Sequence, residues 1–186
     1  MSNVYVLMAP GFEEMELVIT VDMLRRAGLP VQTVSLADRV EPVTGSRGIA
    51  MLPDLPFDRL AAADCRALVL PGGLEGIRHL ANDARVLDLI RRLAANDVWL
   101  AAICAAPTVL VAAGVAQGRR LTSHPAMREK MAGVVYDESR VVIDGRFITS
   151  RAAGTTFEFA AALIEALSAP TSVAEVNRGV LARLEK

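Results

Sequence analysis

The chain has 186 residues, of which 53% are apolar and 22% charged, enough apolar material for the core of one globular domain. Its 20 basic side chains nearly balance 21 acidic ones, which argues against sequence-specific nucleic-acid binding or an anionic membrane surface. Two cysteines and two histidines are too few for a disulfide framework or a structural metal site. We therefore expect one domain over residues 1–186 and a small, neutral or weakly charged ligand.

The N-terminal residues lack the features of a secretory signal, because their apolar run is short and no basic residues precede it. Residues 98–116 form an uncharged segment as long as a membrane span. That segment contains Pro107, however, and proline inside a helix ends or kinks it. We interpret the segment as a buried strand followed by a buried helix, and we expect a cytoplasmic protein.

Predicted strands and helices alternate along the chain. In chain order they are a strand at 4–8, a helix at 13–27, a strand at 31–36, a small hairpin or a pair of edge segments over 42–51, a strand at 67–70, a helix at 86–95, a strand at 98–103, helices from about 107 and at 126–131, a hairpin over 140–150 and a helix at 155–167. Thr155 or Thr156 is predicted to cap the last helix. Unbroken apolar strands are typical of parallel sheets covered on both faces. The alternation predicts a doubly wound, mostly parallel α/β fold.

Cys104 lies where the predicted strand at 98–103 ends and a helix marked by Pro107 begins. A helix N-terminus stabilises a thiolate, and its backbone N–H groups can accept an oxyanion. This arrangement is that of a nucleophile elbow. Free cysteines are also common core residues, so the spacing alone leaves a reactive and a structural role open. Cys65 precedes a strand and is interpreted as a thiol without a role.

Three carboxylates follow the first predicted strand. Glu16 shares a helix face with apolar residues. Either the assumed helical register is wrong, or the carboxyl is partly shielded from solvent. Desolvation raises the pKa of a carboxyl, and the protonated group can then hydrogen-bond a thiolate or shuttle a proton. Glu13 and Glu14 are interpreted as acidic residues at a helix N-terminus.

Two other segments could contribute to a site at the same sheet edge. His124 is held in an extended conformation by Pro125, so it could orient or deprotonate a thiol, or be a surface histidine. Gly72 and Gly73 follow a buried strand and would let a backbone N–H approach a ligand closely. His79 is interpreted as structural or exposed.

Five motifs are spread over nearly the whole chain. They are Ala-Pro-Gly-Phe-Glu-Glu-Met-Glu16, Val-Leu-Pro-Gly-Gly73, Ala-Ala-Ile-Cys104-Ala-Ala-Pro-Thr, Thr-Ser-His124-Pro and Thr-Ser-Arg151-Ala-Ala-Gly-Thr-Thr-Phe-Glu-Phe159. In this order the motifs resemble those of the ThiJ/PfpI superfamily, and most closely those of its DJ-one (Parkinson-associated deglycase) branch. The resemblance implies a flavodoxin-like three-layer sandwich, similar to that of class I glutamine amidotransferases, and a homodimer.

The resemblance also implies roles for individual residues. Cys104 would be the nucleophile, Glu16 its protonated hydrogen-bond partner and His124 a nearby histidine. The backbone N–H groups of Gly73 and Ala105 would form an anion pocket.

Other positions narrow what the resemblance implies. Arg26 and Arg47 match basic positions near the family's pocket and dimer interface. The family's peptidases have a histidine directly after the nucleophile, and here that position is Ala105, which argues against a protease.

The implied activity is that of a glyoxalase or deglycase that needs no metal or organic cofactor. It would act on methylglyoxal, glyoxal or their adducts and protect against carbonyl and oxidative stress. The alternative is a redox-sensing stress or chaperone protein in which Cys104 is oxidised to sulfinic acid.

Overall fold

The computed structural model describes residues 2–184 and is built around a seven-stranded sheet. The strands are β1 (Asn3–Met8), β2 (Val31–Ser35), β3 (Val43–Thr44), β4 (Ala50–Met51), β5 (Leu55–Pro56), β6 (Cys65–Leu70), β7 (Trp99–Ile103), β8 (Arg120–Leu121), β9 (Val135–Tyr136), β10 (Val141–Asp144) and β11 (Phe147–Ser150). The main sheet has the order β10-β11-β7-β6-β1-β2-β5. All its neighbouring strands are parallel except β10 and β11. The mostly parallel sheet predicted from the sequence is confirmed.

Helices cover both faces of this sheet. They are α1 (Glu14–Arg26), α2 (Leu74–Asn82), α3 (Ala84–Ala95), α4 (Pro107–Ala112), α5 (Thr156–Ala166) and α6 (Val173–Val180). Helices α2, α3 and α4 pack on one face, and α1, α5 and α6 pack on the other. The result is the flavodoxin-like, doubly wound three-layer sandwich that was expected.

The apolar runs of the central strands follow from this layering. Leu68 and Leu70 of β6 point into one core, while Ala67 and Val69 point into the other, and all four are at most 1% exposed. Burying a leucine or valine contributes about 1.5–3 kcal/mol, so each face selects apolar residues and the strand has no polar side.

The sequence prediction missed α2, α6, β5, β8 and β9. Helix α2 is followed at once by Asp83, which caps α3, so no proline or glycine separates the two helices. The helix predicted at 126–131 is a 3-10 helix over Pro125–Lys130. Thr155 occupies the N-cap position of α5, but its hydroxyl donates to the Ala152 carbonyl and makes no capping hydrogen bond.

The apolar segment 98–116 forms β7 and then α4, which begins at Pro107. Within residues 2–184, every helix falls short of the length and apolar character needed to cross a membrane.

Candidate active site

Cys104 occupies a sharp turn immediately after β7. Its backbone has φ +63°, a left-handed conformation that costs a residue other than glycine about 1–3 kcal/mol. Two hydrogen bonds hold it: its N–H donates to the Ser150 carbonyl (3.0 Å), and its carbonyl accepts the His124 N–H (2.7 Å). The half-buried side chain therefore stands at the carboxyl edge of the sheet, in the strand-to-helix elbow expected from the sequence.

Glu16 lies directly behind this cysteine. Its side chain is 0% exposed, and its Oε2 accepts the Gly72 N–H at 2.7 Å. The carboxyl lies close to the Cys104 side chain and interacts with its thiol electrostatically, while Oε1 has no hydrogen-bond partner among the described residues. A Cβ on Gly72 would lie 2.7 Å from Glu16 Oε2 and 2.8 Å from Cys104 Cβ. Only glycine fits between the two groups.

The Glu16 carboxyl and the Cys104 thiol titrate as a coupled pair. Burial raises the pKa of Glu16 to about 7, although hydrogen bonds from Gly72 and Cys104 oppose this. Burial and then the charged Glu16 carboxylate raise the pKa of Cys104 to about 12, and the Ala105 N–H opposes this. The sequence-based expectation of a helix-lowered thiol pKa is thus wrong while Glu16 is ionised. Helix α4 has only six residues, and burial and the Glu16 carboxylate outweigh the backbone N–H groups at its start.

Cys104 opens into a cavity of about 400 Å³. Its lining residues are Glu13, Ser46, Arg47, Gly73, Leu74, Glu75, Cys104, Ala105, His124, Ala126 and Met127. A larger cavity of about 750 Å³ lies beyond the ends of β1 and β2. It contains none of the predicted site residues, and for that reason the smaller cavity is the candidate active site.

His124 is fixed at the wall of this pocket. It precedes the 3-10 helix, and its Nδ1 accepts the Ala126 N–H at 3.2 Å. The neutral ring therefore carries its proton on Nε2. Since its backbone N–H also binds the Cys104 carbonyl, the histidine and the cysteine are held together through the main chain.

Gly73 and Ala105 also line the pocket, one at the start of α2 and the other just after the thiol. Gly73 has φ +95°, and a Cβ there would collide with the Gly11 carbonyl and lie 2.8 Å from the Glu13 nitrogen. Its turn is joined to the start of α1, because the Glu13 N–H donates to the Gly72 carbonyl at 3.0 Å. Two helix-start turns thus meet around Cys104.

The structure separates the two arginines and revises the interpretation of Glu14. Arg47 lines the pocket, whereas Arg26 lies at the far end of α1, paired with Asp22 at 2.6 Å, and is not a lining residue.

Glu14 is buried and accepts hydrogen bonds from the 46–49 segment. Its partners are distant in sequence, so no local pattern indicated this role.

The fold and the pocket define a class: a flavodoxin-like α/β protein with a cysteine elbow backed by a buried carboxyl. Within residues 2–184, no three His, Cys, Asp or Glu side chains are grouped so that they could hold a metal ion. The model of the DJ-1/PfpI family matches residues 2–166, and the chain belongs to this family.

Individual relatives agree with this assignment. The chain is 43% identical to Drosophila melanogaster protein dj-1beta over 178 residues, 95% of each chain. The crystal structure of that DJ-1beta superposes with a TM-score of 0.93 over 99% of this chain and 100% of that one. A Caenorhabditis elegans protein named glutathione-independent glyoxalase DJR-1.2 is 35% identical over 160 residues, 85% of this chain and 84% of that protein. Oxidised DJ-1 from Toxoplasma gondii is 29% identical, with a TM-score of 0.92 over 99% and 100% of the two chains.

Proposed function

We propose that this protein is a cofactor-independent glyoxalase or deglycase that acts on methylglyoxal, glyoxal or their adducts through Cys104. The observation that carries the proposal is the close approach of the buried Glu16 carboxyl to the elbow cysteine, which lines a pocket large enough for a small aldehyde. The name of the Caenorhabditis elegans relative supports the same activity.

The proposed reaction uses only side-chain and backbone groups of the pocket. The Cys104 thiolate adds to the aldehyde carbon, so a C–S bond forms and the carbonyl oxygen becomes an oxyanion that the Gly73 and Ala105 N–H groups stabilise. Glu16 protonates this oxygen to give a hemithioacetal. The carboxylate then moves a proton from C1 to C2 through an enediol, which leaves a thioester. Water cleaves the C–S bond and releases lactate from methylglyoxal.

The reactive form of the pair has the proton on Glu16 and the negative charge on sulfur. Glu16 is completely buried while Cys104 is half-buried, so desolvation opposes a charge on the carboxyl more strongly. The Ala105 N–H stabilises the thiolate. We expect alkylation by iodoacetamide to follow the loss of the first proton from the coupled pair, near pH 7. In Glu16→Gln the midpoint should move upward, and a wild-type midpoint above 9 would contradict this charge placement.

Lactate formation tests the enzymatic proposal. We expect Cys104→Ser to lose activity on methylglyoxal by about 10³-fold or more, because a hydroxyl is a far weaker nucleophile than a thiolate. Cys65→Ser is the matched control, since it removes the other thiol without touching the pocket, and it should retain activity. Lactate production that survives Cys104→Ser would eliminate the proposal.

A redox-sensing role is the second candidate, and two observations favour it. Glu16 Oε1, close to Cys104, has no hydrogen-bond partner among the described residues, and the Toxoplasma relative has an oxidised form. The thiolate would attack one peroxide oxygen, the O–O bond would break and hydroxide would leave. A second peroxide would give the sulfinic acid, to which protonated Glu16 would donate a hydrogen bond. Mass spectrometry after mild peroxide should show a gain of about 32 Da at Cys104, and its absence would count against this role.

We also propose that the protein is a cytoplasmic homodimer. Met15 and Val18 on α1, with Ile49 and Leu52 at the β3–β4 hairpin, are large apolar side chains that are each more than 40% exposed. The two groups lie near each other, because the Ile49 N–H contacts Glu14. Light scattering on the purified protein should give twice the monomer mass.

A further inference from the structure

We propose that Glu14 is a positioning residue that clamps the loop over residues 44–49 onto the start of α1 and so holds Arg47 at the wall of the Cys104 pocket. The inference deepens the proposed function, and its consequence for catalysis rests on that function. Arg47, unlike Glu14, lines the pocket itself.

The clamp consists of three hydrogen bonds to one carboxylate. Glu14 Oε1 accepts the Arg47 N–H at 2.6 Å and the Ile49 N–H at 3.4 Å, and Oε2 accepts the Ser46 hydroxyl at 3.0 Å. The carboxylate is packed flat against Gly45, where a Cβ would lie 2.5 Å from Glu14 Cδ. The side chain is 5% exposed, so few water molecules can replace these partners.

Main-chain hydrogen bonds fix the other end of the same loop. The Ser46 N–H donates to the Phe12 carbonyl at 2.8 Å, and the Gly11 N–H donates to the Thr44 carbonyl at 2.8 Å. These bonds hold residues 44–46, but the Arg47 and Ile49 N–H groups both depend on Glu14. Two main-chain hydrogen bonds, from the Gly48 N–H to the Gly45 carbonyl (3.1 Å) and from the Gly45 N–H to the Ile49 carbonyl (2.9 Å), close the turn itself. Glu14 therefore ties this closed turn, with Arg47 in it, to the start of α1.

Glu14 is a charged acceptor at neutral pH. Burial raises its pKa, but the hydrogen bonds from Arg47, Ser46 and Ile49 bring the pKa below its ordinary value of 4.5. Hydrogen bonds to an ionised group are roughly twice as strong as those between neutral groups. Replacement of the carboxylate should therefore loosen the loop measurably.

Arg47 is the residue whose placement matters for the pocket. Among the lining residues it is the only arginine or lysine, while Glu13 and Glu75 are acidic. In the described part of the chain its guanidinium has one hydrogen bond, to the Ser46 carbonyl at 3.4 Å, and it belongs to no ion pair. The positive charge is thus available to an oxyanion or to a product carboxylate.

Amide hydrogen exchange tests the clamp without any substrate. We expect the Arg47 and Ile49 amides to exchange about tenfold faster or more in Glu14→Ala, with partial recovery in Glu14→Gln, which keeps one acceptor oxygen. Asp54→Ala is the control: Asp54 Oδ2 also accepts a backbone N–H and a hydroxyl, both from Thr33, together with the Arg25 guanidinium, and lies outside the pocket. Unchanged exchange at these two amides in Glu14→Ala would overturn the proposal.

Charge-selective alkylation tests whether the clamp places Arg47. The ratio of Cys104 alkylation rates by iodoacetate and by iodoacetamide should fall about fivefold in Arg47→Ala, the effect of one nearby charge in water. It should fall similarly in Glu14→Ala, with no further fall in the double variant and none in Asp54→Ala. A wild-type ratio in Glu14→Ala would overturn the proposal. Both reagents alkylate a thiol whether or not the protein turns over an aldehyde, so failure of the proposed activity remains distinguishable.

The kinetic consequence follows if the protein is a glyoxalase. Glu14→Ala and Arg47→Ala should change the same kinetic constant, either KM for methylglyoxal or kcat, and by a similar factor. Asp54→Ala should change neither constant. Different kinetic signatures for the two variants would show that Glu14 does not act through Arg47.

Discussion

The two cysteines lie at opposite ends of two neighbouring parallel strands. Cys65 begins β6 and Cys104 follows β7. Burial is the main reason that the pKa of each thiol is raised to about 12. Cys65 has an ordinary extended backbone with φ −78° and is 7% exposed, whereas Cys104 has φ +63° and faces a pocket. Burial alone therefore does not distinguish them; the turn, the pocket and Glu16 do.

The difference in alkylation rate should be the largest measurable contrast between the two thiols. In the native protein at neutral pH we expect iodoacetamide to modify Cys104 on the order of 10³-fold faster than Cys65, because only Cys104 is accessible and paired with a proton acceptor. Peptide mass spectrometry over a time course measures both rates. In denaturant the rates should become similar. Equal alkylation rates in the native protein would contradict the conclusion that the turn, the pocket and Glu16 make Cys104 the more reactive thiol.

The stability of the protein should depend on pH through Glu16. Its pKa is raised from 4.5 to about 7 on folding, so the folded state binds the proton more tightly. The corresponding stability is present below pH 4.5 and is lost as the pH rises through 7. For this shift the loss is about 3 kcal/mol.

Urea unfolding at pH 4.5 and pH 7 measures this loss. Glu16→Gln should not show it, because its amide does not titrate. A difference between wild type and Glu16→Gln that stays constant over this pH range would mean that the carboxyl is not held in its neutral form.

The contact between Glu16 and Cys104 should be sensitive to the residue between them. Gly72→Ala introduces a Cβ 2.7 Å from Glu16 Oε2 and 2.8 Å from Cys104 Cβ, so one of the two groups must move. Since small displacements of reacting groups are costly, we expect kcat/KM for methylglyoxal to fall about 30-fold. Gly154→Ala, where a Cβ meets nothing within 4 Å, is the control. A Gly72→Ala variant with normal activity would show that the close contact is not required.

The sequence predicted those features whose causes are local. The buried strands follow from unbroken apolar runs, and the elbow at Cys104 follows from the strand before it and Pro107 after it. The pairing of Glu16 with Cys104 came from the family motifs, because helix periodicity places a carboxyl on an apolar face without naming its partner. The Glu14 contacts were missed for the same reason, since Arg47 is 33 residues away.

The smallest expected effect concerns what each cysteine contributes to stability. Cys65 is packed in the core that includes Tyr5 and Leu68, so Cys65→Ser places a hydroxyl in apolar surroundings and should cost about 1–2 kcal/mol. Cys104→Ser should change the free energy of unfolding by less than about 0.5 kcal/mol, because its position is half-exposed and Glu16 can hydrogen-bond the new hydroxyl. Urea unfolding of both variants at neutral pH gives the comparison. A residue that is present for its chemistry makes few packing contacts, so its replacement should cost little stability. A larger loss of stability in Cys104→Ser than in Cys65→Ser would therefore mean that Cys104 contributes mainly to the fold.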